Sequence, residues 1–133
     1  MIIDVRKLNA QKSYEGDLVW EEEADESLVD IPYVEFDGKI EIQAHYELYE
    51  DNSLQLTGKV FYKLKGKCSR CLSFAEKSIE GEINALFEPF SGAEDYSYSR
   101  GIIDTQEAIK DAVVFSMPMV LLCKDDCAGI QYD

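Results

Sequence analysis

Three stretches of alternating apolar and polar side chains between residues 40 and 88 constrain the fold of this chain more than any other feature. They read IEIQAHYEL (residues 40–48), LQLTGKVFYKLKGK (54–67) and FAEKSIEGEINALFE (74–88). Successive side chains of a strand point to opposite faces, so a period of two residues indicates a strand with one buried face. The sequence therefore predicts a three-stranded antiparallel meander over residues 38–89 with one apolar face.

The register of these strands is predicted from their side chains. A two-residue turn at residues 69–70 places Lys63 opposite Glu76 on the polar face. The same register pairs Lys59 with Glu80, Leu64 with Ala75, Val60 with Ile79 and Leu56 with Ile83. Such pairs stabilise a sheet, whereas a slip of one residue would turn an apolar face to water. For the preceding turn, a three-residue loop at residues 51–53 is predicted, which pairs Glu41 with Lys63.

One main helix is predicted over residues 104–117. Asp104 can cap its first turn, with Glu107 in the position of a capping box, and Pro118 ends or kinks it. The side that we expect to pack consists of Ile109, Ala112, Val113 and Ser116, with Ala108 and Phe115 beside them. This helix would cover the apolar face of the sheet.

The whole chain is predicted to form a single domain of the α+β class, an antiparallel β-meander or partial barrel covered by one main α-helix. The remaining segments are an N-terminal strand and acidic loop region at 1–36, with strands at 2–8 and 18–20, a connection at 90–103, and an extended cysteine-bearing tail at 118–133.

Charge and composition narrow the class of function. The formal net charge is −14, which opposes contact with phosphate backbones and favours basic partners, ribosomal proteins among them. The sequence contains no membrane span and no signal-peptide pattern, so we expect a cytoplasmic protein. Nucleotide-binding and hydrolase motifs are absent, and His45, the one histidine, lies on the polar face of a predicted strand. We therefore expect no enzyme.

The cysteines leave three interpretations open. Cys68 and Cys71 occur in CSRC, and Cys123 and Cys127 occur in CKDDC. In the predicted hairpin the first two lie opposite each other, and four thiolates can bind one structural zinc ion. The aspartates of CKDDC disfavour thiolates and weaken that interpretation. The alternatives are inert cysteines that pack as small apolar residues, and a redox pair, for which the expected helix N-terminus is missing.

A local basic cluster runs against the global charge. Five of the thirteen basic residues fall in twelve positions, as Lys59, Lys63, Lys65, Lys67 and Arg70. With Phe61 on the same face, they suit phosphate contact and base stacking. Pairing with glutamates across the sheet is the simpler interpretation for the first two. It leaves Lys65, Lys67 and Arg70 as the predicted contact with a partner or RNA.

These motifs together resemble the YceD family of large ribosomal RNA subunit accumulation proteins. The matching positions are Cys68, Arg70, Cys71 and Leu72 in the hairpin, then Pro118, Cys123, Cys127 and Gly129 after the helix. The resemblance covers residues 38–130, while the ending AGIQYD departs from the cysteine-bearing, asparagine-rich tail of many members.

The resemblance implies a non-enzymatic factor that supports the accumulation or processing of large-subunit (23S) rRNA. Its expected partner is a basic large-subunit ribosomal protein or an assembly intermediate, with no membrane and no small-molecule substrate involved. The alternative is a zinc-ribbon-like protein-interaction module without a ribosomal role.

Overall fold

The computed structural model describes residues 1–90, 92–93 and 95–123 of the chain. The strands are β1 (Ile2–Asp4), β2 (Glu15–Glu22), β3 (Val34–Phe36), β4 (Ile40–Leu48), β5 (Leu54–Lys67), β6 (Phe74–Glu88), β7 (Tyr96–Ser97) and β8 (Ile102–Asp104). The helices are α1 (Val5–Ala10) and α2 (Gln106–Ser116), with a 3-10 turn at Glu26–Leu28. In this part of the chain, no helix has the length and apolar character needed to cross a membrane.

The strands form two sheets. The larger sheet has the order β2, β4, β5, β6, β7, and β3 pairs with β5 beyond the end of β4. All of its pairings are antiparallel except that of β7 with β6. β1 and β8 form a separate antiparallel ribbon. The sheets stay open, so the predicted α+β fold with an antiparallel meander is confirmed and no closed barrel forms.

The tip of the β5–β6 hairpin is wider than predicted. The N–H of Cys68 donates to the carbonyl of Ser73 over 2.7 Å, so residues 69–72 form the loop. Leu72 adopts the left-handed backbone conformation, with φ 63°, which lets the chain reverse direction within this loop. Cys71 therefore does not lie opposite Cys68, and the predicted two-residue turn is wrong.

This wider loop shifts the β5–β6 register by two residues but keeps every side chain on its predicted face. Lys65, rather than Lys63, lies opposite Glu76. The predicted ion pairs survive as diagonal contacts, with 3.2 Å between Lys63 Nζ and a Glu76 carboxylate oxygen and 2.8 Å between Lys59 Nζ and Glu80. Exposed ion pairs contribute little to stability. Burial of the apolar face is therefore the stronger constraint on which side chains of each strand face inward.

The β4–β5 turn shows the same two-residue shift in register. The N–H of Tyr49 donates to the carbonyl of Ser53 over 2.8 Å, so the three-residue loop begins one residue earlier than predicted. Asn52 takes the left-handed position of that loop, with φ 67°. Glu41 consequently lies opposite Phe61 instead of the predicted lysine.

Tertiary pairing reshapes the N-terminal region. The strand predicted at 2–8 ends at Asp4, whose carboxylate accepts the N–H of Lys7 over 3.2 Å and caps α1. β2 is eight residues long instead of a short strand at 18–20, because β4 offers it a full edge for pairing. The connection predicted for 90–103 likewise contains β7 and the first residues of β8, which pair with β6 and β1.

Helix α2 covers the inner, apolar face of the sheet, as predicted. Ile109 and Val113 are buried against it. The Tyr62 hydroxyl on β5 donates to the Val113 carbonyl over 3.2 Å and lies 2.8 Å from Ser116 Oγ. Gly81 on β6 permits this close approach, since a Cβ atom there would lie 2.7 Å from Ser116 Oγ.

Two details of the helix prediction are wrong. The helix begins at Gln106 with Thr105 as its N-cap, while Asp104 is the last residue of β8. The Asp104 carboxylate still accepts the N–H of Gln106 over 3.0 Å. Phe115 is 89% exposed, because it is offset by two residues from Val113 and projects from the other side of the helix.

We expect Gly81→Ala to lower the free energy of unfolding by about 1–3 kcal/mol, because the added methyl group overpacks the contact between β6 and α2. Urea unfolding followed by circular dichroism measures the change. Ser78→Ala, on the exposed face of the same strand, is the matched control and should change stability by less than about 0.5 kcal/mol. Equal stability of the two variants would show that the helix does not pack tightly on this strand.

Candidate metal centre and contact surface

The loop at the tip of the β5–β6 hairpin turns its backbone around the side chain of Cys68. The N–H of Leu72 donates to the Cys68 carbonyl over 3.0 Å, which closes one turn of chain. The amides of Arg70 and Cys71 then point at the Cys68 sulfur and donate hydrogen bonds to it. Cys68 is fully buried, so the sulfur sits in a pocket lined by amide hydrogens.

The chain after α2 returns to this loop through Ser69. The N–H of Ser69 donates to the carbonyl of Leu121 over 2.7 Å, and the N–H of Leu121 donates to Ser69 Oγ over 3.1 Å. Leu121 is fully buried. These two bonds bring Cys123 to the hairpin, with its sulfur 3.5 Å from that of Cys71.

Three of the four predicted metal ligands therefore converge. The sulfurs of Cys68, Cys71 and Cys123 all lie within 4.8 Å of one another. A tetrahedral zinc ion with Zn–S bonds of about 2.3 Å holds its sulfurs about 3.8 Å apart, so small movements would suffice for binding. The fourth predicted ligand, Cys127, and the matched Gly129 lie outside the described residues.

The thiols are poised to ionise. Burial opposes ionisation of Cys68, but the amides of Cys71, Arg70 and Cys123 and the Cys71 thiol outweigh it and lower the pKa of Cys68 to about 5. The hydroxyl and N–H of Ser73, followed by the Cys123 thiol, lower the pKa of Cys71. Thiolates are the form that binds metal, and here backbone amides and the Ser73 hydroxyl, rather than a helix N-terminus, favour them.

The basic residues predicted as a contact surface lie beside this centre, and the two lysines among them already contact other side chains of the chain. Lys65 Nζ lies 3.8 Å from a carboxylate oxygen of Glu35 and 3.7 Å from one of Asp37. Lys67 Nζ lies 4.9 Å from the centre of the Tyr33 ring, a cation–π contact. The expectation that cross-strand pairing leaves these lysines without partners was therefore wrong.

Sequence reasoning missed an apolar surface around the tip. Its members Tyr33, Leu72, Phe74, Met119 and Val120 are all exposed, with Tyr33 at 73% and Phe74 at 68%. Part of it borders a groove of about 330 Å³ next to the cysteine cluster. The outward position of Phe74 could have been predicted from the alternating pattern of β6, because Phe74 lies on the same face as the glutamates of that strand. We call these five residues the tip patch.

A family model described as large ribosomal RNA subunit accumulation protein YceD matches residues 56–133, more than half of the chain. The chain belongs to the YceD family. The match includes all but the first two residues of β5, all of β6 and α2, and all four cysteines, and it confirms the resemblance predicted from the motifs.

This YceD-family chain is also 26% identical over 110 residues to an uncharacterized protein of Mycobacterium leprae (strain TN). The alignment covers 77% of this chain and 50% of that protein, so the chain spans about half the length of the curated relative it matches. No solved structure matches it at a significant level.

A second cluster of polar side chains lies on the outer face of β2 and β4 in this YceD-family chain. His45 Nδ1 lies 2.8 Å from an Asp17 carboxylate oxygen, and Glu15 and Glu47 approach the other ring nitrogen to 3.7 and 4.0 Å. The hydrogen bond to Asp17 raises the pKa of His45, partial burial lowers it, and the three carboxylate charges add to the increase.

We expect Asp17→Asn to lower the pKa of His45 toward its ordinary value of about 6.5. Because the folded pKa is raised, this contact stabilises the fold fully below the unfolded pKa and loses that effect as pH rises through the folded pKa. NMR titration of the imidazole protons measures the shift. Glu82→Gln, on a different strand, should leave the titration unchanged, and an unchanged titration in Asp17→Asn would contradict the assignment.

Proposed function

We propose that this protein is a non-enzymatic cytoplasmic factor in large ribosomal subunit biogenesis, which supports the accumulation or processing of large-subunit (23S) rRNA. The observation that carries the proposal is the match of residues 56–133 to the family named for that process. The matched region contains the hairpin tip, the helix and the returning tail, so it includes the candidate metal centre and much of the surface around it.

The proposed partner is a basic large-subunit ribosomal protein or an assembly intermediate that contains one. A net charge of −14 supports attraction to such a partner over long range. Lys65, Lys67 and Arg70 are the proposed contact residues, and Lys67 contacts the exposed ring of Tyr33 and lies opposite Phe74. Aromatic rings beside cations also suit unpaired RNA bases, so rRNA within an assembly intermediate is the alternative ligand of this surface.

We further propose that the cysteine centre binds a structural zinc ion through Cys68, Cys71, Cys123 and Cys127. The support is the convergence of three sulfurs and the lowered pKa of Cys68 and Cys71. Such an ion would join the tail after α2 to the hairpin tip, and four thiolates would leave it no open position for catalysis.

The second candidate function is a zinc-ribbon-like protein-interaction module without a ribosomal role. The tip patch favours it, because exposed aromatic and methionine side chains beside a groove are typical of protein interfaces. This candidate shares the metal centre with the first and differs from it in the partner.

Protein purified under reducing conditions should contain about one zinc ion per chain, and chelation should lower its melting temperature. Cys71→Ser should lose the ion, because it removes one sulfur of the cluster. Elemental analysis and calorimetry measure both effects. His45→Ala is the control and should keep the ion. Zinc below about a tenth of an equivalent, with stability unaffected by chelation, would refute the zinc centre.

Depletion of the protein should lower the level of large-subunit rRNA and shift the profile of ribosomal particles. A double variant, Lys67→Glu with Arg70→Glu, should restore the profile poorly, whereas a charge-matched pair in α1 and the turn after it, Lys7→Glu with Lys12→Glu, should restore it fully. Sucrose-gradient profiles and rRNA quantification measure the outcome. An unchanged profile on depletion would leave the interaction module as the better candidate.

A further inference from the structure

Strand β6 has an open edge over most of its length. One of its edges pairs with β5 along the whole hairpin, while the other pairs, within the part of the chain that the structure describes, only with β7 at Phe87 and Glu88. Among the described residues, no hydrogen bond reaches the outward backbone groups between Phe74 and Ala85. A sheet edge with a row of unpaired N–H and C=O groups is a template for another strand.

The hydrogen bonds identify which residues face outward. Cys68 and Ser73 close the hairpin, and hydrogen-bonded pairs recur every second residue in an antiparallel ladder. The odd-numbered residues of β6 therefore bond to β5, and the even-numbered residues present their N–H and C=O groups to the open edge. The N–H of Leu86 agrees with this assignment, because it points outward to the carboxylate of Asp95 at 3.3 Å.

The even-numbered residues of β6 also carry their side chains on the outer face, where charge alternates in sign from β3 to β5 to β6. Glu35 of β3 lies opposite Lys65 of β5, which lies opposite Glu76 of β6. The outer face of β5 contains Lys59, Lys63, Lys65 and Lys67, and that of β6 contains Glu76, Glu80 and Glu82. A further strand that continues the alternation would be basic.

A second copy of this chain does not fit the edge. Antiparallel pairing of two β6 edges would place even-numbered residues opposite even-numbered residues. The row of glutamates would then meet itself, and like charges directly opposite each other destabilise a sheet. Lys77, exposed on the inner side of the strand, further discourages self-pairing, because inward charges protect edge strands.

We propose that the open edge of β6 binds an extended basic segment of a partner protein as an added antiparallel strand. Its backbone bonds to the even-numbered residues of β6, and lysine or arginine side chains lie opposite Glu82, Glu80 and Glu76. This mode of recognition takes affinity from main-chain hydrogen bonds and specificity from alternate side chains.

The tip patch defines the end of the added strand. Phe74 is the last outward-facing residue of β6 at this end, and Leu72 is exposed beside it. An apolar side chain opposite Phe74 would cover both. Read from the residue opposite Asn84, the partner's alternate positions are then neutral, basic, basic, neutral, basic and apolar.

Strand β2 forms the other edge of the sheet and is also acidic, but the acidic side chains of β6 are more firmly held in position for binding. Lys59 and Lys63 hold the carboxylates of Glu80 and Glu76 in the outer row, so less side-chain freedom is lost on binding. On β2, Glu15 lies opposite Glu47 with no such lysine among the described contacts. β6 is also the longer of the two strands.

The segment gives a binding mode for the basic partner of the proposed function, but the inference rests on the sheet edge and is tested without ribosomes. An unchanged ribosomal profile on depletion would remove the proposed function and leave strand binding standing. Failure of the peptide experiment below would remove strand binding and leave the ribosomal role standing.

The test uses the full chain and a labelled synthetic peptide. The peptide has lysine at the positions opposite Glu82, Glu80 and Glu76, phenylalanine opposite Phe74, and threonine elsewhere. One control has the same composition with its lysines contiguous, so they cannot all face one side. Two further controls carry N-methyl groups, either on the lysines, whose amides face β6, or on the residues between them, whose amides face away.

Two protein variants distinguish binding at the β6 edge from nonspecific attraction between the acidic protein and the basic peptide. Glu82→Lys reverses a charge on the edge, and Glu41→Lys makes the same change on the outer face of β4, away from the edge. Glu82→Lys should weaken peptide binding about fivefold, while Glu41→Lys should change it less than twofold. Fluorescence anisotropy measures binding, and circular dichroism checks that both variants fold.

Amide hydrogen exchange locates the strand. In the free protein the even-numbered amides from Glu76 to Glu82 should exchange faster than their odd-numbered neighbours, and the alternating peptide should slow them. N-methylation of its lysines should abolish binding, and N-methylation between them should not. Equal binding of the contiguous-lysine peptide, slowed exchange on β2 instead of β6, or capture of single-stranded RNA in place of the peptide at these amides would overturn the proposal.

Discussion

The pairing of β5 with β6 is the interaction on which the rest of the structure depends. It runs in one unbroken register from Leu54 opposite Phe87 to Lys67 opposite Phe74. Its apolar side supports helix α2, its charged side forms the outer face, and its free edges receive β3 and β4 on one side and β7 on the other. The loop that ends it carries the thiol of Cys71, and Cys68 directly precedes that loop. A change of one residue in this register would disturb the core, the outer face and the thiol centre together.

The thiol centre depends on the backbone around it as much as on its sulfurs. Two hydrogen bonds between Ser69 and Leu121 bring the tail to the hairpin, and burial of Leu121 adds an apolar contribution. The sulfur of Cys123 then lies beside that of Cys71, although more than fifty residues separate them in sequence. A metal at this position would close a long loop, which limits the freedom of the unfolded chain. Because α2 occupies the inner face, the surfaces of the described residues that remain for partners include the tip, the outer face and the edges of β6 and β2.

Comparison of the predicted and observed elements shows which physical signals are local. The side chains of each strand that point to the buried face were predicted, because burial of one face requires an apolar side chain at nearly every second residue. The register was wrong by two residues at both hairpins, because two-residue shifts conserve parity and the loops at 69–72 and before Ser53 differ from those predicted. The thiols of Cys68, Cys71 and Cys123 were predicted as a group and lie together. The tip patch was missed, since the exposure of Tyr33 and Met119 depends on what the fold leaves uncovered.

The sequence by itself determined that this chain forms an antiparallel sheet with one apolar and one charged face and one covering helix. It did so because the apolar–polar alternation of strands and the periodicity of helices are patterns of residues that lie close together in the sequence. It also carried the cysteine motifs that resemble the YceD family, to which the match of residues 56–133 assigns the chain. Only the tertiary structure decided the loop lengths, the length of β2, the return of the tail through Ser69 and the open edge of β6. Each of these depends on contacts between distant segments, whose geometry no local pattern encodes.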